Sequence, residues 1–227
     1  MRIVMFYHSL VSDWNHGNAH FLRGVASELV SRGHEVRIFE PEDGWSFNNL
    51  VADHGEAAIQ GFHRAYPQLS STRYRLASLD LDRALEGADL VIVHEWNEPE
   101  LVRMVGAHRA GNPGCRLLFH DTHHRSVTDR DRLPAAGLEH YDGVLAFGGA
   151  VRDLYLERGW ARRAWVWHEA ADTRVFRPIE ARRTGDLVWI GNWGDDERSA
   201  EIREFLIEPA RELGLNAEVY GVRYPAE

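Results

Sequence analysis

The chain has 227 residues and a formal net charge of −9, from 26 lysine-plus-arginine and 35 acidic residues. All the basic residues are arginines, so a Schiff-base lysine and a Walker A lysine are excluded. The single cysteine, Cys115, excludes an internal disulfide framework and a cysteine-rich zinc site. The acidic balance disfavours nucleic acid and anionic membrane surfaces, so we expect no nucleic-acid partner.

Along most of the chain, short apolar runs alternate with segments of helical periodicity. Continuous apolar runs are typical of parallel strands that are covered on both faces. Helical periodicity is clear in Phe21–Arg32 and in a helix that starts at Pro99 and ends near Gly111. The apolar runs are Ile3–Tyr7, Val36–Phe39, Leu90–Val93, Arg116–Phe119, Val144–Phe147 and Ala164–Trp167. The alternation predicts an α/β fold with an open, Rossmann-like parallel sheet.

The stretch Pro41–Ser78 has a less regular pattern. Within it, Ala57–Tyr66 has helical periodicity, whereas Gly44–Asn49 has the composition of a loop. We therefore predict one helix and one loop for this part of the chain.

A second βαβ pattern starts after a linker-like segment, Asp172–Gly185, which has little hydrophobic periodicity. It consists of a strand at Asp186–Ile190, a helix at Glu197–Leu213 and a strand at Ala217–Tyr220. Two strands cannot bury their own faces well. We expect a domain at 1–170, a linker at 171–185 and an incomplete domain at 186–227, which either self-associates or forms a mobile tail.

No apolar run approaches the roughly 18 residues that a transmembrane helix needs. The segment Met1–His8 is too short and turns polar too soon for a signal peptide. From these two observations we expect a cytoplasmic protein.

Histidine occurs at the carboxyl end of four predicted strands, each time followed by a polar residue. These pairs are His8–Ser9, His94–Glu95, His120–Asp121 and His168–Glu169. Ligands of open α/β sheets bind beyond the carboxyl ends of the strands, so the pairs predict an active-site rim. The alternative is that they only mark where strands reach solvent. As a rim residue, His120 is expected to make few core contacts.

Three further motifs carry polar groups. The turn Asn15-His16-Gly17-Asn18 would place backbone N–H groups at a helix N-terminus, or it is an ordinary cap. His120-Asp121-Thr122-His123-His124 could bind a metal, although polar substrate contacts are favoured. Gly191–Arg198 forms a glycine-bearing turn into a helix, where Arg198 could pair with a diphosphate.

Several of these segments resemble the GT-B glycosyltransferases. Val166–Pro178 is similar to the segment that joins the two domains of that fold, and Asn15–Asn18 with Arg32-Gly33-His34-Glu35-Val36 resembles family 4-like enzymes. Leu187–Trp193 with Glu197-Arg198 resembles the start of the donor domain in the spore-maturation CgeB-like branch. Asn192 and Glu169-Ala170 depart from the usual residues of these motifs.

The resemblance implies an amino-terminal Rossmann-like domain followed by the first βαβ unit of a donor domain. It implies transfer of a sugar, of hexosyl type and with retention, from a nucleotide-sugar to an unknown acceptor. The nucleotide-sugar is a co-substrate, and neither a cofactor nor a metal is expected. The E-x7-E-type donor segment is absent, so we expect no activity from these 227 residues alone.

The roles that follow cover three groups of residues. His120 and Asp121 would be catalytic, and Gly191, Asn192 and Arg198 would bind the donor phosphates. Substrate contacts would come from Asn15, His16, Gly17, Asn18, His94, Glu95, Asn97, His123, His168 and Glu169.

Two alternatives to a transferase remain open. One is a metal-dependent hydrolase that uses His120, Asp121, His123 and His124. The other is a non-catalytic remnant that binds a glycan or a protein partner.

Overall fold

The computed structural model describes residues 1–123, 137–194, 196–221 and 224–225. Met1–Phe176 forms one compact unit around a seven-stranded parallel sheet. Its strands are β1 (Arg2–Phe6), β2 (Glu35–Pro41), β3 (Ser71–Tyr74), β4 (Leu90–His94), β5 (Arg116–Asp121), β6 (Gly143–Ala146) and β7 (Ala164–Val166). They are ordered β3-β2-β1-β4-β5-β6-β7. The predicted Rossmann-like α/β fold is confirmed.

Helices lie on both faces of this sheet, as the continuous apolar strands require. They are α1 (Asn18–Ser31), α2 (Trp45–His54), α3 (Glu56–Ala65), α4 (Leu81–Ala84), α5 (Pro99–Gly111) and α6 (Gly149–Glu157), with 3-10 turns at Leu76–Ser78 and Leu138–His140. Successive side chains of β1 point to opposite faces. Ile3 and Met5 pack with Leu22 of α1, whereas Val4 and Phe6 belong to a second core with Leu101 of α5.

Two elements of the first unit differ from the sequence prediction. The predicted loop at Gly44–Asn49 mostly belongs to α2, which is anchored by buried Leu50 and by Ser46, whose hydroxyl lies 2.8 Å from that of Ser12. Tertiary contacts thus override the weak helix propensity of this segment. Strand β3 is missed because its sequence, Ser-Thr-Arg-Tyr, is polar; as an edge strand it pairs only with β2.

Arg177–Glu227 forms a second compact unit, so the predicted linker 171–185 is divided between the two units. Strands β8 (Leu187–Ile190) and β9 (Ala217–Tyr220) pair in parallel. Between them lie α7 (Asp196–Ile202), a π-helical turn (Arg203–Ile207) and α8 (Glu208–Glu212). In a regular α-helix, the N–H of residue 209 would donate to the carbonyl of Phe205. Pro209 has no N–H, and the helix has a π-helical turn at this point.

The second unit exposes large apolar side chains: Ile190 is 79% exposed, Leu213 71% and Phe205 69%. Exposed apolar groups of this size favour association. We predict that the chain self-associates, and that the double variant Ile190→Thr/Leu213→Gln associates about tenfold more weakly, because burying one aliphatic side chain contributes about 1.5 kcal/mol or more. Sedimentation velocity over a concentration series measures the effect.

The control for this experiment is Leu156→Gln, which removes a leucine that is 43% exposed in the first unit. It should leave association unchanged. A chain that stays monomeric, with hydrogen-exchange protection of β8 and β9 equal to that of β1 and β4, would contradict the prediction.

Candidate functional site

The carboxyl edge of the seven-stranded sheet carries most of the predicted site residues. Strand β1 lies between β2 and β4, so the order of the chain reverses there, and open α/β sheets bind ligands beyond such a switch point. The register places His94 of β4 beside His120 of β5. Because the strands of this sheet are all parallel, His8 and His168 lie at the same edge as these two residues.

Tyr7, His94 and His120 form an inner layer of this edge that is almost inaccessible to solvent. Tyr7 is 1% exposed, and the two histidines are fully buried. The Tyr7 ring stacks on His94 with 4.7 Å between the ring centroids, and its hydroxyl lies 2.8 Å from Nδ1 of His120.

The protonation of the inner layer follows from its burial. Burial lowers the pKa of His120 to about 3 and raises the pKa of Tyr7 well above its usual range. At neutral pH Tyr7 keeps its proton and His120 is neutral, and the tautomer of His120 decides whether Tyr7 or Nδ1 donates and whether Nε2 carries a proton. That Nε2 is buried and has no hydrogen-bond partner among the described residues.

His120 lies at the edge as predicted, but the expectation that it makes few core contacts is wrong. Its ring packs against Trp167, with 4.8 Å between centroids, and against Phe21 of α1, at 5.7 Å. Trp167, which follows β7, and Phe21 close over the end of β5. His120 therefore takes part in core packing as well as facing the edge.

Four aromatic residues form an outer layer: His8, His16, Trp96 and His123. His8 lies 4.4 Å from His16 and 5.5 Å from Trp96, measured between ring centroids. Trp96 lies 5.7 Å from His123. Burial lowers the pKa of His16 to about 4, so this imidazole is neutral at pH 7.

A polar network joins the outer surface to His94. Asn18 Nδ2 donates to Thr122 Oγ1 at 3.2 Å and lies 3.4 Å from His94 Nε2. Thr122 Oγ1 lies 3.2 Å from the same Nε2 and 3.4 Å from a carboxylate oxygen of Glu95. The structure thus brings together three predicted residues, Asn18, His94 and Glu95, through Thr122, which sequence reasoning missed.

Asp121 and Asn97 are buried and already hold parts of the fold. Asp121 accepts from the Tyr155 hydroxyl at 2.7 Å and from the His123 amide at 3.0 Å. Asn97 Nδ2 donates to the carbonyls of Phe6 and His94, both at 2.8 Å. Both side chains therefore fix the geometry of the strand ends.

Two buried charged residues clamp the loop between β1 and α1. The Glu40 carboxylate accepts from the amides of Leu10, at 2.5 Å, and Val11, at 3.4 Å. Arg23 donates to the carbonyls of the same two residues, at 2.9 and 2.8 Å, and to Asp13 at 3.0 Å. Neither residue was predicted; the only sequence signal for Glu40 is a carboxylate that ends an apolar strand.

In the turn before α1, Asn15 has an unusual backbone conformation. Asn15 takes a left-handed conformation, with φ of 57°, which asparagine tolerates. Gly17 has φ of −86°, is exposed and has free space around its Cα, so nothing at this position requires glycine. The turn therefore presents His16 to the outer layer, while its predicted role in ligand binding stays a prediction.

After β7, His168 is exposed and Glu169 is half-buried. One carboxylate oxygen of Glu169 is buried without a hydrogen-bond partner among the described residues. Burial raises the pKa of Glu169 to about 7. Its charge also contributes to the raised pKa of Tyr7, so the carboxyl group lies close enough to act on the inner layer.

Beside the outer layer, a cavity of about 650 Å³ opens at the carboxyl ends of β1 to β4. We call it the aromatic cleft; its lining includes His8, Trp45, Tyr74 and Trp96. Its volume is in the range of small-molecule sites.

In the second unit, Gly191 contributes to the pairing of β8 with β9 and packs against Trp189. Its amide donates to the Tyr220 carbonyl at 2.9 Å, and a Cβ on it would lie within 3.1 Å of the Trp189 ring. Arg198 lies on α7, 3.7 Å from the Glu201 carboxylate, and Asn192 follows β8. Their predicted contact with donor phosphates stays a prediction.

Within the described ranges, no three histidine, cysteine or acidic side chains are arranged to hold a metal ion. In the motif behind the hydrolase alternative, His120 and Asp121 already form hydrogen bonds inside the fold, and His124 lies outside the described residues. Across the part of the chain that the structure describes, no helix has the length and hydropathy to span a bilayer.

Neither the protein-family models nor the curated proteins give a match. Solved structures do. An alpha-glucosyltransferase in complex with UDP aligns over 100% of this chain and 60% of its own, with 16% identity and a TM-score of 0.59. Another, in complex with UDP-glucose and DNA containing an abasic site, aligns over 92% and 55%, with 17% identity and a TM-score of 0.59. A third, with UDP and a 13-mer DNA containing a HMU base, has 17% identity and a TM-score of 0.58 over 92% and 55%.

These likenesses show a GT-B-type fold. The chain spans 55 to 60% of the length of these proteins. The narrower resemblance to the family 4-like and CgeB-like branches finds no support in the comparisons.

The expectation of no nucleic-acid partner is wrong as a deduction from net charge, because structural neighbours of this chain hold DNA. Net charge is a property of the whole chain, whereas phosphates respond to local positive charge. Here residues 173–185 contain four arginines and one acidic residue in a chain of net charge −9.

We predict that His120→Ala lowers the free energy of unfolding by about 2–4 kcal/mol, because it leaves a cavity and removes the partner of a buried hydroxyl. The matched control is His168→Ala, since His168 occupies the corresponding position after β7 but is exposed. The control should change stability by about 0.5 kcal/mol or less. Urea denaturation measures both, and equal small losses would show that His120 is a surface residue.

Glu169 should make stability depend on pH. Its pKa is about 7 in the folded chain against an ordinary 4.5, so its stabilising effect is complete below pH 4.5 and is lost as the pH rises through 7. Relative to Glu169→Gln, the wild type should lose about 1 kcal/mol between pH 5 and pH 8, after allowance for solvent screening. Parallel pH profiles for the two proteins, from urea denaturation, would contradict this assignment.

Proposed function

We propose that this chain is the acceptor-side part, with the start of the donor side, of a glycosyltransferase that moves a sugar from a nucleotide-sugar. The observation that supports this most is the polar carboxyl edge at the switch point of a sheet shared with alpha-glucosyltransferases. Those neighbours hold UDP or UDP-glucose, which makes UDP-glucose the first donor to test.

In this proposal, His120 binds the transferred sugar through Nε2–H. The proposal takes the tautomer in which Tyr7 donates to Nδ1 and the proton sits on Nε2, so that a sugar hydroxyl would supply the acceptor that the N–H lacks among the described residues. Trp167 covers His120, so the segment after β7 must shift to admit the sugar. Asp121 holds the loop after β5 and keeps His120 and Thr122 in place.

Glu169 would act on a hydroxyl of the bound sugar or of the acceptor. A carboxyl group with a pKa near 7 can accept a proton and release it again near neutral pH. Its buried oxygen, without a partner among the described residues, would gain a hydrogen bond when ligand binds.

Transfer itself needs stabilisation of the departing diphosphate. We propose that Arg198 of the second unit supplies it, since a guanidinium pairs with phosphate oxygens in a bidentate manner. We further propose a hexosyl transfer with retention, because an alpha-glucosyltransferase that uses the α-linked UDP-glucose keeps the configuration of its donor.

The test is calorimetric titration of the 227-residue chain with UDP and UDP-glucose. Arg198→Gln should raise the dissociation constant of both about five- to tenfold, as expected for a lost charge-assisted contact of about 1–1.5 kcal/mol. Arg211→Gln, which removes an exposed arginine from α8 of the same unit, serves as the control. Binding of neither ligand, or equal weakening by both variants, would contradict the donor assignment.

Acceptors are tested separately, with duplex DNA first because the neighbours hold it, and with oligosaccharides in parallel. Because no transfer is expected from these 227 residues alone, the readout is binding: a saturable change in tryptophan fluorescence on titration with either class identifies the acceptor class. Saturable binding of neither class would contradict the assignment of this unit to the acceptor side.

A further inference from the structure

The aromatic cleft is a concave site of the first unit. Trp45 and Tyr74 line it from the β2 and β3 side, and Trp96 lines it from β4. Half-buried Leu76 adds apolar surface. Flat aromatic and aliphatic surfaces of this kind pack against the face of a ring-shaped ligand.

The rim of the cleft is acidic. Glu42, Asp43 and Glu98 line it together with a single arginine, Arg75, and that arginine is paired with Glu42. Among the described residues, the carboxylates of Asp43 and Glu98 form neither an ion pair nor a side-chain hydrogen bond. The rim therefore carries two uncompensated negative charges.

The charges of Asp43 and Glu98 both act on Tyr74 in the cleft. Burial raises the pKa of Tyr74, and the charges of Glu98 and Asp43 raise it further, so both carboxylates lie near its hydroxyl. That hydroxyl donates to Asn97 at 3.2 Å and is not available to a ligand as a donor. Around it the cleft offers carboxylate oxygens, which accept hydrogen bonds and attract positive charge.

The aromatic lining and the acidic rim favour some classes of ligand over others. A phosphate or carboxylate would be repelled by the rim, because low-dielectric walls strengthen like-charge repulsion. A protonated amine gains both the carboxylates and the aromatic faces, which attract cations. Hydroxyl groups on a ring can donate to the carboxylate oxygens.

We propose that the aromatic cleft binds the acceptor, and that this acceptor carries a protonated amine on a hydroxylated ring, as amino sugars and aminocyclitols do. The identification of the ligand as acceptor rests on the proposed function, whereas the binding preference does not.

The test compares three probes that share one ring: 6-amino-6-deoxyglucose, glucose and glucose 6-phosphate. Ligand-observed NMR titration of the 227-residue chain at low salt measures their dissociation constants. The amine should bind about three- to tenfold more tightly than glucose, and the phosphate more weakly than glucose. The advantage of the amine should shrink as salt is added.

Variants assign the preference to the rim. Asp43→Asn and Glu98→Gln should each lower the affinity for the amine about two- to fivefold and leave that for glucose almost unchanged. Both side chains are exposed, so neither change should disturb folding. Glu100→Gln is the control, since Glu100 is exposed on the first turn of α5 but does not line the cleft.

Equal binding of amine and glucose, or tightest binding of the phosphate, would overturn the proposal. Displacement of the amine by a DNA oligonucleotide would also overturn it, since the cleft would then take a polyanion. None of these measurements uses a nucleotide-sugar, so a chain that binds the amine but not UDP-glucose would refute the proposed function and leave the cleft's preference standing.

Discussion

The geometry of the site depends on how the backbone of two residues between β1 and α1, Leu10 and Val11, is held. The amides of Leu10 and Val11 donate to Glu40, and the carbonyls of the same residues accept from Arg23. Both charged groups are buried; Arg23 is satisfied by the loop that it holds, and Glu40 by the loop and by the Ser71 hydroxyl of β3. Loss of Glu40 would leave the two amides without this acceptor, and loss of Arg23 would leave the two carbonyls without this donor, so each side chain of this clamp holds its own part of the same loop.

The clamp positions side chains on both sides of the loop. It fixes the start of the loop, where His8 lies against His94 and Trp96, and Arg23 also holds Asp13, close to His16. The hydrogen bond from His20 and the neighbouring Arg23 charge hold the pKa of Asp13 well below its usual range, so this carboxylate stays charged. Through these contacts a strand-end residue of β2 and a residue of α1 determine where the outer-layer imidazoles lie.

Sequence patterns predicted the parts of the fold in which buried positions carry apolar side chains. The apolar runs of β1, β4 and β5 identify buried parallel strands, and the polar pairs after them locate the edge. The same reasoning failed at positions where a polar side chain is buried. His120 is polar and fully buried, because Phe21 and Trp167, which are distant in sequence, cover it. Glu40 and Arg23 are also charged and buried, and most of their hydrogen-bond partners are backbone groups that no sequence pattern identifies.

Net charge is also a poor guide to the partners of this chain. The net value of −9 averages over regions with opposite properties: the rim of the aromatic cleft is acidic, whereas residues 173–185 are rich in arginine. Screening over about 8–10 Å means that a ligand responds to the charges near it rather than to the total. A phosphate-bearing partner and an amine-bearing one can therefore each find a favourable surface on the same chain, at different places. For this reason the neighbours' DNA and the acidic cleft are compatible observations, and each must be tested with its own ligand.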